Sequence, residues 1–250
     1  MGRTRCEYNY QGTGKQTFYD GYKGGSFETF LSMFPVAFYD DFIGADLVIP
    51  ASGAPESGTK WTKKIVGAAP PTVAKVADGT NGLVACALTA DSQKQDAALH
   101  MNDELMFSIA QGAIFEARIT LLTLPTLNGI ASFGLWGAWA DGGSAYRVGF
   151  EVPAGGLVAA ESDDNVTDTS ASTGVTLVAG EWHIFRIDCT DQANIKFYID
   201  GVGVATGTTF ANAASAVNSQ SQPHVGMYKV SGAGLGVVKA DYIKIWQNRA

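Results

Sequence analysis

The sequence predicts an all-β fold, a two-sheet antiparallel sandwich with a short N-terminal arm. Three observations carry this prediction: short apolar runs recur along the chain, turn-forming residues separate them, and long helical patterns are lacking. Of 250 residues, 46% are hydrophobic, only 16% are charged, and 30 are glycine. Ordinary globular chains are about 25% charged. The composition therefore favours short strands and tight turns, which we assign to one domain over 36–250.

The charge balance excludes one class of function. The chain has 17 Lys and Arg against 24 Asp and Glu, a net charge of −7, whereas phosphate backbones attract basic surfaces. We therefore expect no nucleic-acid partner. We also expect no membrane partner, because no apolar run approaches the roughly 20 residues that span a bilayer. The first residues lack the apolar core of a secretory signal, so we expect synthesis and assembly in a cytoplasm.

Residues 1–35 differ from the rest because glycines and aromatic residues alternate without a strand period. One short helix is predicted from Ser26 to Met33, ended by Pro35. The aromatic residues are too many for a solvated linker, so this arm either packs along its own domain or docks on a partner. The docking candidates are Tyr8, Tyr10, Phe18, Tyr19 and Tyr22.

From residue 36 onward the chain reads as strands and turns. Val36–Phe42 is a candidate first strand, 50–82 has the composition of loops and edge strands, and Leu83–Thr89 suits a buried strand. In Phe115–Leu121 apolar and polar residues alternate, which is typical of a half-buried strand. The later predicted strands are Ser132–Trp139, Tyr146–Val152, Leu157–Ala160, Trp182–Cys189, Ile195–Asp200, Val225–Val230 and Val237–Gln247.

Three stretches carry a family resemblance: GEWHIFRID at 180–188, KFYIDG at 196–201 and DYIKIWQ at 241–247. They resemble the concanavalin A-like jelly rolls, especially laminin-G-type domains, and the resemblance spans roughly 37–248. It implies a jelly-roll sandwich in which the hairpin places Phe185, Ile187, Phe197 and Ile199 in the core. It implies little about function, because this fold hosts lectins, adhesion modules, glycanases and virion proteins alike.

Catalytic patterns of that superfamily are absent from the sequence. Its β-glucan-cleaving enzymes carry Glu-x-Asp-x-Glu on one strand, which places three carboxylates on one face. The nearest stretch here, Glu161–Asn165, lacks core-forming residues between its acidic ones, and we interpret it as a solvated turn. With Asp168 it could instead bind calcium, although its spacing fits no EF-hand. We therefore predict no enzyme activity, no catalytic residue and no cofactor, with calcium as the open alternative.

Histidine and cysteine residues give no nucleophilic or metal-binding pattern. The chain has three histidines and no nucleophile elbow, and His183 belongs to the strand signature, so we interpret it as a packing residue. Cys86 and Cys189 lie in apolar runs and are expected to be buried thiols.

A sheet face around Trp136 is the candidate ligand site. Phe133, Leu135 and Trp139 are expected on the core side of their strand, which leaves Trp136 on the other side. An exposed indole beside charged groups can stack on a sugar ring. In the alternative interpretation a strand, a loop or the arm covers Trp136. If their strands share one sheet, the outer concave face would combine Trp136, Arg147, Glu151, Glu116 and Arg118.

Three function classes follow: a displayed structural protein, a carbohydrate-binding module and a divergent polysaccharide-cleaving enzyme. We favour the first, as a capsid decoration or head-fibre protein on a phage virion. The fold is usually displayed outside cells, yet the chain shows neither an export signal nor a disulfide framework, and phage proteins assemble in the host cytoplasm. The partner would be the major capsid protein or another virion protein, with weak binding of surface glycans; homo-oligomerisation and head or tail location stay open.

Overall fold

A computed structural model describes residues 8–11, 15–20, 25–29, 36–43, 60–141, 143–212 and 219–248. These ranges contain nineteen strands and a short 3-10 helix at Ile109–Gln111, so the predicted all-β class is confirmed. Among them no helix is long and apolar enough to cross a membrane. The strands are β1 (Tyr8–Gln11), β2 (Lys15–Asp20), β3 (Gly25–Thr29), β4 (Val36–Asp40), β5 (Thr62–Val66), β6 (Thr72–Lys75), β7 (Val84–Ala87), β8 (Gln95–His100), β9 (Phe107–Ser108), β10 (Ile114–Thr123), β11 (Gly129–Trp136), β12 (Arg147–Pro153), β13 (Leu157–Asp163), β14 (Asp168–Thr176), β15 (Trp182–Asp188), β16 (Lys196–Ile199), β17 (Val202–Val204), β18 (Gln220–Lys229) and β19 (Val237–Gln247).

Strands β4–β19 form a sandwich of two antiparallel sheets, as predicted for a jelly roll. One sheet, here called the β10 sheet, has the order β17-β16-β15-β10-β19-β7-β6, and β4 also pairs with β19. The other, here called the β11 sheet, has the order β14-β13-β12-β11-β18-β8-β5, and β9 also pairs with β18. Neighbouring strands in each sheet are often far apart in sequence. The strand order is therefore determined by burial of the hydrophobic faces and not by local turns alone.

The core lies between the sheets and follows the period of two. In β10, Phe115, Ala117 and Ile119 are fully buried, as the alternation predicted. Phe185 of β15 reaches across the sandwich to Phe133, with ring centroids 4.6 Å apart, and to Phe150 at 5.0 Å. These edge-to-face contacts join the two sheets.

The hairpin that carries the family resemblance forms as predicted. Phe185 pairs with Ile199 and Ile187 with Phe197 in the β15–β16 register, and all four side chains are buried. Cys86 and Cys189 are also fully buried, which confirms the prediction that both are buried thiols.

Lys229, the last residue of β18, is buried although it carries an amine. Its Nζ donates to the carbonyl oxygens of Thr89 and Asp91, both at 2.6 Å, and of Gly234 at 3.0 Å. Three acceptors satisfy the three N–H groups of an ammonium. The side chain therefore joins three backbone segments at one end of the sandwich.

The described parts of the first 35 residues are strands. β1, β2 and β3 form a separate antiparallel sheet, and the predicted helix from Ser26 is wrong because Gly25–Thr29 pairs with β2. The register pairs Tyr8 with Phe18, and Phe18 with Phe27. The helix prediction used local signals alone, whereas pairing with a neighbouring strand determines the structure of this segment. Tyr10 lies on β1 and Tyr19 on β2, whereas Tyr22 lies outside the described residues; the docking role and the 1–35 boundary stay predictions.

Candidate ligand-binding site

The face of the β11 sheet that points away from the core gathers three of the five predicted ligand residues. Trp136 pairs laterally with Arg147, and Ser132 with Glu151. Laterally paired residues of an antiparallel sheet point to the same side. The structure therefore places Trp136, Arg147 and Glu151 on one face, with Ser132 among them.

The other two predicted residues lie on the opposite side of the molecule. Glu116 and Arg118 belong to β10, in the other sheet, so the expectation that all five share one sheet is wrong. Alternation along β10 indicated which side chains point outward, but it carries no information about which strands lie beside β10. The actual neighbours, β15 and β19, come much later in the chain.

The ring of Trp136 lies against the sheet and is only 5% exposed. A Cβ atom at Gly149 would overlap this ring, and one at Gly134 would come 2.8 Å from it. The His224 imidazole stacks on the indole with centroids 4.7 Å apart. Trp136 is therefore covered, as the alternative interpretation expected and not the exposed one: two glycines make room for the ring, and the His224 side chain from the neighbouring strand lies over it.

A cavity of about 250 Å³ opens on this face. The Trp139 side chain forms part of the cavity wall, although the sequence predicted this side chain on the core side. β11 ends at Trp136, so the period of two no longer applies three residues later. The Trp139 ring lies 4.6 Å from the Lys64 amine and donates a hydrogen bond to Asp96. The side chains around the cavity include Asp96, His100, Ser132, Trp136, Trp139, Arg147, Glu151, Gln222 and His224.

Arg147 is the centre of an acidic cluster at one wall of the cavity. Its guanidinium pairs with Glu161, lies 3.0 Å from Asp163 and is 4.0 Å from Glu151. The prediction of a solvated turn at Glu161–Asn165 is wrong, because β13 continues to Asp163 and Glu161 is 4% exposed. A carboxylate can be buried when a cation compensates it, and here the cation comes from the neighbouring strand.

Two carboxyl groups of the site titrate far from their usual range. Burial, together with the negative charge of Glu161, raises the pKa of Glu151 to about 8. Burial and the charge of Asp141 raise the pKa of Asp96 to about 7. A protonated Glu151 can donate a hydrogen bond to the Glu161 carboxylate. At neutral pH the cluster therefore holds a proton that solvent-exposed carboxylates would have released.

Two histidines in the site were missed at the sequence level. His224 lies 3.0 Å from the Ser132 hydroxyl through Nε2, and burial lowers the pKa of His224 to about 3. His100 is 1% exposed, and neither of its ring nitrogens has a hydrogen-bond partner; the Asp103 carboxylate lies 3.6 Å away. The available signal was the alternation of Gln222, His224 and Gly226, because β18 begins at Gln220 and not at Val225.

Two sequence predictions remain, the packing role of His183 and the alternative of a calcium site. His183 Nδ1 lies 2.7 Å from Asp200 across the β15–β16 hairpin, so it braces that hairpin in addition to packing against Phe185. Within the described ranges no group of three or more His, Cys, Asp or Glu side chains is placed to hold a metal ion. The calcium alternative stays a prediction, and Arg147 already occupies the space between Glu161 and Asp163.

Comparison with known proteins identifies the fold but no family. No protein-family model matches the chain, and no curated protein does. Among solved structures, a protein of unknown function from Shewanella oneidensis MR-1 has a TM-score of 0.56 at 12% identity, covering 86% of this chain and 89% of that one. A beta-1,3-glucanase from Mycobacterium marinum has a TM-score of 0.54 at 20% identity, over 84% and 97%. A pseudo beta-1,3-glucanase of Mycobacterium tuberculosis has a TM-score of 0.53 at 13% identity, over 85% and 98%. The chain thus shares the β-sandwich fold of these three proteins.

Proposed function

We propose that the β-sandwich is a non-catalytic carbohydrate-binding domain whose ligand occupies the cavity beside Trp136 and Trp139. The observation that carries this proposal is the cavity itself: about 250 Å³ of space with two indole rings and converging polar groups. Sugar sites combine aromatic surface with a few well-placed hydrogen-bonding groups. Arg147, Glu151 and His100 supply donors and acceptors of that kind.

The geometry of the carboxyl groups supports binding over hydrolysis. In retaining glycosidases the two carboxyl groups stand about 5 Å apart and in inverting ones about 6.5–9.5 Å, with the sugar between them. Here the guanidinium of Arg147 pairs with Glu161 and lies 4.0 Å from Glu151, so a cation of the protein stands beside both carboxyl groups. The Ser132–His224 pair is also poorly suited to catalysis, because a base with a pKa of about 3 accepts a proton weakly near pH 7.

A glycan array followed by calorimetry tests the proposal. Trp139→Ala, which removes a partly exposed ring from the cavity wall, should weaken binding of any positive glycan at least tenfold. Trp182→Ala is the matched control, since Trp182 is a partly exposed indole on the outer face of the β10 sheet, where Arg118 covers it at 4.5 Å. Equal losses in the two variants, or no glycan bound by the wild type, would contradict the proposal. Sugar release from β-glucans at rates above a protein-free blank would favour the enzyme instead.

A displayed virion protein is the second candidate, and it is compatible with glycan binding. Its support is the low-charge, glycine-rich composition and an aromatic N-terminal segment whose described parts form their own three-stranded sheet. The docking residues would be those named in the arm, and the partner the major capsid or another virion protein. Deleting 1–35 should leave a folded sandwich that no longer co-sediments with particles of the phage that encodes it. Unchanged co-sedimentation would exclude docking through the arm.

A further inference from the structure

Carboxyl groups outnumber cations around the cavity. Glu151, Glu161 and Asp163 share the single guanidinium of Arg147. A fourth carboxyl group, Asp96, lies among the residues that line the cavity. The neighbouring strand β14 adds Asp168, which pairs laterally with Asp163. Asp96 lies near Lys64 and Lys94, whereas the carboxyl groups around Arg147 share that one guanidinium.

Buried polar atoms without partners indicate that a ligand completes the site. Glu161 Oε2 accepts no hydrogen bond although the residue is 4% exposed, and Arg147 Nε donates none. His100, 1% exposed and part of the cavity lining, has two unpartnered ring nitrogens. Buried polar groups are nearly always hydrogen-bonded. A polar ligand in the cavity, which Arg147, Glu151 and His100 all line, can supply hydrogen-bond partners for atoms of this kind.

We propose that the ligand is a sugar with a free amine, whose ammonium group binds in the cavity beside Glu151, where three carboxyl groups share the guanidinium of Arg147. This inference rests on the proposed carbohydrate-binding function and names the class of sugar. Burial raises the pKa of Glu151 to about 8, so its carboxyl group carries a proton before the ligand binds. On binding, the O–H bond of this carboxyl group breaks and the proton passes to solvent, while the ammonium ion keeps its own three protons.

The charges that face Glu151 favour an amine over other sugars. Arg147 on its own strand is the one cation, while Glu161 on β13 and Asp168 on β14 are negative; Ser132 on β11 is neutral. A sugar acid would add a further negative charge beside Glu161 and Asp168, and a neutral sugar would leave the proton on Glu151. Only a cationic ligand relieves the repulsion between the carboxylates.

Calorimetry at pH 6.0, in two buffers of different ionisation enthalpy, tests the proposal with defined probes. The probes are a glucosamine tetramer, the N-acetylglucosamine tetramer, a glucose tetramer and a glucuronic acid tetramer. The amine-bearing tetramer should bind at least tenfold more tightly than the other three and release close to one proton. Glu151→Gln should abolish the proton release and most of the preference, whereas Glu116→Gln on the opposite sheet should change neither.

The outcomes separate this inference from the function on which it rests. Equal binding of the glucose and glucosamine tetramers, with both lost in Trp139→Ala, overturns the amine preference and leaves a sugar-binding domain. Amine-selective binding without proton release overturns the loss of the Glu151 proton on binding. If none of the tetramers and no glycan on the array binds, the proposed function and this inference both fall.

Discussion

The outer faces of the two sheets both carry charged and aromatic residues but arrange the charges differently. On the β10 sheet the ion pairs are one to one: Arg118 lies 2.6 Å from Asp241, and Lys244 lies 3.3 Å from Glu116. On the β11 sheet one guanidinium, that of Arg147, serves three carboxyl groups. Paired charges make a stable solvated surface, whereas unequal charges beside a cavity leave an interaction for a ligand to complete.

The largest expected difference between the faces comes from removing their arginines. Arg147→Met leaves buried carboxylates without a cation, and we expect it to lower the free energy of unfolding by about 3–5 kcal/mol. Arg118→Met removes a pair whose arginine side chain is 35% exposed, so about 1 kcal/mol or less is expected. Urea denaturation of both variants at pH 7 measures the two values. Similar small losses would mean that the cluster around Arg147 is solvated after all.

A methyl group on the sheet beneath Trp136 should have the next largest effect. Gly149→Ala forces the indole off the sheet and is expected to cost about 2 kcal/mol, together with a change in the near-ultraviolet circular dichroism of the tryptophans. Gly203→Ala on β17 is the control, because the nearest atom to its added Cβ would lie 3.5 Å away, an ordinary contact. We expect the control to change stability by less than about 0.5 kcal/mol. Equal effects would show that Trp136 does not need the glycine.

The smallest expected effect is a pH dependence that belongs to one face. The pKa of Glu151 is raised to about 8, so the folded protein keeps a proton that the unfolded chain releases at lower pH. This stabilisation is complete at acid pH and is lost as pH rises through 8. The opposite contribution of His224, whose pKa is lowered to about 3, acts only below about pH 6.5, and Asp96 titrates near 7.

Between pH 7 and pH 8 the wild type should therefore lose about 0.5–1 kcal/mol, a value reduced for the partial exposure of Glu151. Glu151→Gln should lose much less over the same interval, as determined by urea denaturation at the two pH values. A wild type whose stability rises over this interval would contradict the assignment.

The sequence predicted the fold well because hydrophobic alternation is a local property. β19 has the predicted bounds, Val237–Gln247, and the Phe185 hairpin has the predicted core residues. Face assignment by parity was also right within each strand, as for Trp136 and Arg147. Sheet membership was not available, because the position of β10 depends on pairing with residues that lie 62 to 132 positions later in the chain.

The site was only partly predictable because its members are defined by neighbours. The sequence predicted a solvated Glu161 because it does not show that Arg147, on the neighbouring strand, lies beside this carboxylate. Trp139 was assigned by a period that ends with its strand at Trp136. His224 drew no attention because its strand was expected to start one residue later. In each case a local pattern was extended past the point where tertiary contacts take over.

The amine of Lys229 closes a junction of three backbone carbonyl groups. Junctions of backbone carbonyls elsewhere in proteins are often closed by a bound cation, which comes and goes with the ionic composition of the surroundings. Here the positive charge is covalently attached to the chain. The junction among Thr89, Asp91 and Gly234 is therefore completed when the chain folds, and a chelator cannot remove the group that closes it.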